Sequence, residues 1–180
     1  FLAQSNKGDQ LLAADQAAQA AACFTAILKT LGEVPSYKLA LTLGWLGRCH
    51  RAGDRPDLAE AQYLRGIAVT QALEQSDQVR RHRGTLHAAL GDALMQQGKY
   101  PQAREQYEAS LKLKKEVNDL RGQGVAEGQL GTLAMEEGDL NEAVQRHQAA
   151  LALFQRLQEP AMEAVVQHQL GIAFQEAQQW

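Results

Sequence analysis

The sequence predicts an all-α solenoid, a stack of antiparallel helix pairs repeated about every 40 residues. Composition is the first observation. Ala, Leu and Gln dominate the 180 residues and β-branched residues are scarce, a balance that favours helix over strand. Internal repetition is the second. Glycine recurs at 8, 47, 91, 131 and 171, at spacings of 39, 44, 40 and 40. Alanine keeps the same register at 20, 59, 103 and 143, followed four residues later by Phe24, Tyr63, Tyr107 and His147, and eight later by Leu28, Ile67, Leu111 and Leu151. Ladders that advance together at such a period are the signature of a solenoid.

The register places each element in order. In the first unit, 1–39, Gly8 belongs to helix A and Ala20, Phe24 and Leu28 to helix B, with turns near 14–16 and 32–35; Lys7 stands where later units have leucine. The second unit, 40–83, sets Leu46 and Gly47 on helix A. A turn near 53–56 separates these from Ala59, Tyr63 and Ile67 on helix B, and about four extra residues follow. In the third, 84–123, Leu86, Leu90 and Leu94 mark one helical face. After Gly98-Lys99-Tyr100-Pro101, the residues Ala103, Tyr107, Ser110 and Leu111 mark the next. The fourth, 124–163, repeats this with Leu130-Gly131, a turn near 138–140, and Ala143, His147, Ala150 and Leu151.

The remaining stretch, 164–180, supplies a ninth helix, with Leu170 and Phe174 expected to face Leu151 and Phe154 of the preceding helix. Trp180 falls on the rung of Tyr100 and Leu140, in a turn. The four prolines, 35, 56, 101 and 160, lie at turns or first helical positions. Glycine inside a helix costs roughly 1 kcal/mol against alanine, so five in register imply a packing return. A glycine in helix A and an alanine early in helix B let two backbones cross closely, and the ring fills the space beside the crossing.

The small-residue, alanine and ring positions, Gly91, Ala103, Tyr107 and Ser110, and then Gly131, Ala143, His147 and Ala150, resemble the tetratricopeptide repeat (TPR) family. Its units usually run about 34 residues. The longer LGDALMQQGKYPQAREQYEASL and LGTLAMEEGDLNEAVQRHQAAL are similar to the repeats of kinesin light chain and of the Pins/LGN adaptors. The resemblance implies a right-handed superhelix lined inside by the A helices, a role in binding other proteins, and no enzymatic activity. It also implies a groove lined by Leu41, Trp45, Arg48 and Arg51 in the second unit. Thr85, Ala88, Asp92 and Met95 follow in the third, and Val125, Gln129, Thr132 and Met135 in the fourth.

Trp and Arg are enriched at interface hot spots and Met adapts to varied surfaces. Two readings of Trp45 stand, an anchor for a partner or a ring packed between neighbouring A helices. Arg48 and Asp92 either recognise a partner or pair with each other. The Lys/Asn pair with which one TPR subclass holds a chaperone's C-terminal carboxylate has no counterpart in any frame: the positions read Ser5/Asp9, Gly44/Arg48, Ala88/Asp92, Gly128/Thr132 and His168/Ile172.

Other chemistry finds little support. The charge is −3, from 18 basic and 21 acidic residues, so no basic excess marks a nucleic-acid partner. The run Arg80-Arg81-His82-Arg83 reads as the solvated start of a long helix after Ser76 or Asp77, or as a site for an acidic or phosphorylated partner. No stretch approaches the roughly 20 apolar residues of a membrane span. The histidines 50, 82, 87, 147 and 168 are scattered without an HExxH, and His147 at the ring position reads as core. Cys23 and Cys49 lack metal spacing and read as inert thiols, with a redox role the alternative. Gly122-Gln123-Gly124 lacks the strand that a phosphate loop follows.

No catalytic, metal or cofactor residues are assigned. The expectation is a non-enzymatic, cytoplasmic scaffold taking a protein or peptide in its groove. The alternative is a regulatory or self-assembling module of a longer chain, acting through an open end at Leu170, Phe174 and Trp180; the first residue, Phe rather than Met, fits a piece of such a chain.

Overall fold

The computed structural model describes residues 2–178. Nine helices and no strands lie among them: α1 (Leu2–Ala13), α2 (Ala17–Leu31), α3 (Tyr37–Ala52), α4 (Pro56–Gln71), α5 (Asp77–Gln96), α6 (Tyr100–Glu116), α7 (Leu120–Glu136), α8 (Leu140–Leu157) and α9 (Pro160–Gln178). Local chemistry sets the boundaries. Ser36, Ser76, Asp119 and Asp139 accept hydrogen bonds from the backbone N–H three residues on, at 2.9–3.3 Å, satisfying donors that a helix start leaves free. Pro56 and Pro101 fall in the first turns of α4 and α6, where a missing N–H costs nothing. Gly98 and Gly138 turn the chain with φ of +71° and +79°. Asp15, Asp54, Asn118 and Gln158 do the same with φ of 52–56°, a conformation that strains residues carrying a Cβ. The extra residues of the second unit go into the 72–76 connection and into α5, which has 20 residues against 16 in α3.

Each helix packs on its neighbours in the chain, and the odd-numbered helices also touch one another, α3 on α5, α5 on α7 and α7 on α9. The even-numbered helices make no comparable approach. The stack therefore closes towards its odd-numbered helices, which line its inner face.

The glycine ladder accounts for the crossings. A Cβ built on Gly8, Gly47, Gly91 or Gly131 would come within 2.4–2.8 Å of the ring of Phe24, Tyr63, Tyr107 or His147 respectively, closer than real atoms approach. Those rings are essentially inaccessible, so ring and glycine occupy one another's space by design of the register. Gly171 has nothing within 4 Å. The core lies along the stack in three clusters: Phe24 and Ile27 against Leu46; Tyr63, Leu86, Leu90 and Tyr107; and Phe154 against Val166 and Leu170.

At the last helix the structure corrects one expectation. Leu170 is buried on Ala150 and Phe154, but Phe174 is 48% exposed and does not join it. Positions four apart on a helix differ by about 40° around the axis. With α8 as its main neighbour, that offset carries Phe174 out of the contact, and Ala173 takes the buried position. Trp180 lies outside the described residues.

Candidate binding groove

Three cavities follow one another along the odd-numbered helices. The first, about 170 Å³ between α3 and α5, is bounded by Leu41, Trp45, Arg48, Tyr63, His82 and Thr85 among others. The second, about 250 Å³ between α5 and α7, has Thr85, Ser110, Lys114, Asp119, Val125 and Gln129 in its walls. The third, about 240 Å³, reaches α9 and is walled by Asp92, Met95, Val125, Gln129, Thr132, His147, Phe154 and Val165 among others. The row thus gathers ten of the twelve groove residues expected from sequence. Of the other two, Arg51 pairs with Asp92 at 3.9 Å. Met135 faces a separate, larger depression with Glu137, Asp139 and Glu176.

Trp45 is partly buried. Its ring lies parallel to Phe24, 5.9 Å between centroids, and the Arg48 guanidinium sits 4.4 Å from the ring centroid, within cation–π range. Trp45 therefore both packs on the core and walls the first cavity. Of the two readings of Arg48 and Asp92, the one that pairs them with each other is corrected: the partner of Asp92 is Arg51, one turn further along α3. Arg48 is exposed and makes no ion pair among the described residues.

Asp92 is the polar centre of the third cavity. Tyr107 donates its hydroxyl to Oδ1 at 2.9 Å and Gln129 donates from Nε2 to the same oxygen at 2.7 Å. Burial raises the Asp92 carboxyl above its ordinary value, opposed by Arg51 and by these two hydrogen bonds. Burial likewise pushes Tyr63 up to about 12 and lowers His82, His87 and His147. Several buried polar atoms in the row lack a partner, His82 Nε2, Ser110 Oγ, Gln129 Oε1 and both nitrogens of His147, as does Arg51 Nε beside it; the Tyr63 hydroxyl has no acceptor, Arg51 approaching it only as a donor.

The second cavity differs because its cation is already neutralised. Lys114 is buried and donates to the Arg81 carbonyl at 3.3 Å and to the Thr85 hydroxyl at 3.2 Å, with Asp119 at 2.9 Å. The basic run at 80–83 is partly spent inside the molecule. Arg80 pairs with Asp77, Arg81 donates to the Val117 carbonyl, and the His82 ring packs edge-on against Tyr37.

Sequence reasoning missed Tyr63, Tyr107 and His147 as cavity walls, because the ring position marks them as core. It also missed His82, hidden inside a charged run. The one available signal was the unit-to-unit change beside each ring, from Arg48 to Asp92 to Thr132.

Among the described residues no cluster of His, Cys, Asp and Glu could hold a metal ion, and no helix is long and apolar enough to cross a membrane.

Stacked helix hairpins closed on their A helices by a small-residue and ring ladder define an α-solenoid repeat protein. Residues 84–116 match the family model for the tetratricopeptide repeat, and the helix hairpins on either side repeat the same glycine-and-ring crossing. No curated protein matches the sequence significantly. Among solved structures, BtubC (BKLC) from P. vanneervenii aligns with a TM-score of 0.81 at 19% identity, over 94% of this chain and 70% of that one. A Podosopora anserina chain of the kinesin light chain type, with nearly identical TPR-like repeats, gives 0.80 at 17% identity, over 98% and 86%. The apo form of RapI gives 0.86 at 15% identity, over 98% of this chain and 64% of that one. At these identities the likeness is one of fold.

Proposed function

We propose that the chain is a non-enzymatic scaffold that binds a peptide or helix of another protein along the odd-numbered helices. One observation carries the reading. The three cavities form a continuous row on one face, with apolar walls and polar atoms that the chain itself leaves unpaired, the make-up of sites that orient a ligand by a few polar groups. TPR folds typically mediate protein–protein contact and are typically non-enzymatic. A cytoplasmic setting fits two free thiols, one of them buried.

The test is panning of phage-displayed random dodecapeptides on the full chain, with wild type and Val125→Arg compared. Val125 walls the second and third cavities, is partly exposed and packs on the Phe154 cluster, so arginine there blocks the row, and an unchanged circular dichroism spectrum shows that the variant stays folded. Groove binders lose affinity at least tenfold in the variant, whereas equal affinity removes the proposal.

A second reading, self-association through α9, is favoured by Phe174 and Val165, 48% and 54% exposed on that helix. Leu170 is not available to it, being buried. Sedimentation equilibrium of wild type and Phe174→Asp decides: a concentration-dependent mass that the variant abolishes supports self-association, and identical monomers remove it.

A further inference from the structure

Comparison of the units within the chain isolates a place where a hydrogen-bond acceptor is missing. In the third unit Tyr107, packed under Gly91, gives its hydroxyl proton to Asp92, the residue after that glycine, and lies 3.8 Å from the Met95 sulfur. Shifted back by one unit, Tyr63 packs under Gly47 in the same way. There the residue after the glycine is Arg48, and Arg51 replaces the methionine. A carboxylate has been exchanged for a guanidinium, and the Tyr63 hydroxyl is left without an acceptor although the residue is 0% exposed.

Other donors gather at the same cavity or beside it. Arg51 Nε is buried and unpaired; its guanidinium approaches the Tyr63 hydroxyl as a second donor and reaches Asp92 only at 3.9 Å, so hydroxyl and guanidinium both still lack an acceptor close by. Arg48 has no carboxylate within 4 Å among the described residues and rests on the Trp45 ring. Leaving such groups unpaired is unfavourable, and a carboxylate satisfies hydroxyl and guanidinium donors together.

Resting on the groove reading above, we infer that the cavity between α3 and α5 takes an acidic side chain of the bound protein segment. Its carboxylate sits beside Tyr63 as that of Asp92 sits beside Tyr107, between Tyr63 Oη, Arg48 and Arg51. The attraction is local, since the chain's net charge of −3 repels an acidic segment at long range. One internal competitor stands nearby. Asp9 of α1 faces Arg48 closely enough to feel its charge, forms no ion pair with it, and keeps a buried, unpaired Oδ1.

Dodecapeptides selected by panning on the full chain are synthesised, and their affinities measured by fluorescence anisotropy. The expected result is a fixed Asp or Glu in the groove-dependent peptides. Tyr63→Phe, which keeps the ring under Gly47, and Arg48→Gln, at an exposed position, each weaken them about tenfold, the scale of a hydrogen bond to a charged group. Changing the peptide's acid to its amide removes the sensitivity to both variants, and Asp9→Asn tightens binding. Groove-dependent peptides without a fixed acid, or indifferent to both variants, overturn the inference while the groove stands. Failure to select any peptide that depends on Val125 overturns both.

Discussion

Alanine substituted for glycine at two positions in equivalent helices has opposite effects. At Gly128 in α7 a Cβ meets nothing within 4 Å, so Gly128→Ala gains only the helix preference, about 1 kcal/mol. At Gly91 in α5 the same atom would lie 2.5 Å from Tyr107 Cε1 and 2.6 Å from Cδ1. An ordinary van der Waals contact begins near 3.4 Å, so the ring would have to retreat by almost 1 Å. It is 1% exposed and tied by its hydroxyl to Asp92, which places the substitution at the upper end of the roughly 1–3 kcal/mol that overpacking costs. Set against the same helix gain, Gly91→Ala is destabilising by ~2 kcal/mol. Thermal unfolding followed by circular dichroism should show Tm raised by about 2–4 °C for Gly128→Ala and lowered by about 4–8 °C for Gly91→Ala. Combining Gly91→Ala with Tyr107→Leu should cost less than the sum of the two, because they share one cause. A Gly91→Ala variant as stable as wild type would refute the account of the ladder as a crossing that only glycine permits.

Three further outcomes follow from the same geometry. Burial depresses His147; below about pH 6.5 the unfolded chain takes up a proton that the folded chain resists, so stability is full above that value and falls as pH drops through it. His147→Phe, with the ring that the first unit uses, should lose less Tm than wild type between pH 7.5 and 5.5, and equal losses would contradict the assignment. Gln158 ends α8 with φ of +56°, so Gln158→Gly should stabilise by about 0.5–1 kcal/mol in urea unfolding, relieving left-handed strain at a small cost in chain entropy. Cys49 is 1% exposed and burial pushes its thiol up to about 11. It should therefore react with a disulfide reagent only on unfolding, and rapid labelling of the native Cys23→Ser variant would show the site to be open.

The architecture was legible because the crossings depend on residue size alone. Glycine, alanine and a ring at fixed spacing determine where two helices can approach, whatever the rest of the sequence does. The polar site was less legible, for a geometrical reason. Arg48 and Arg51 lie three residues apart on α3, and either guanidinium has the length to reach across to α5. The one that meets Asp92 is decided by side-chain direction across the gap, and Arg48 is held aside by Trp45. Phe174 was misplaced for a related reason. The i, i+4 rule presumes a neighbour wide enough to cover both positions, and α9 is covered mainly by α8.

What distinguishes one unit from the next is the group placed beside a nearly constant ring. The ring is Phe24, Tyr63, Tyr107 and His147 in turn, each beneath its glycine, and the residue after that glycine is Asp9, Arg48, Asp92 and Thr132. In the third unit ring and neighbour satisfy one another, and that crossing is closed by a hydrogen bond. In the second and fourth units they do not, and the unpaired atoms of Tyr63 and His147 both belong to walls of cavities. The packing scaffold tolerates these mismatches because ring against glycine holds the backbones together irrespective of the polar edge. A repeat with its crossing secured in this way is free to turn its unpaired groups towards another molecule, and the mismatched second unit is where the groove carries two guanidinium groups and a buried hydroxyl donor side by side.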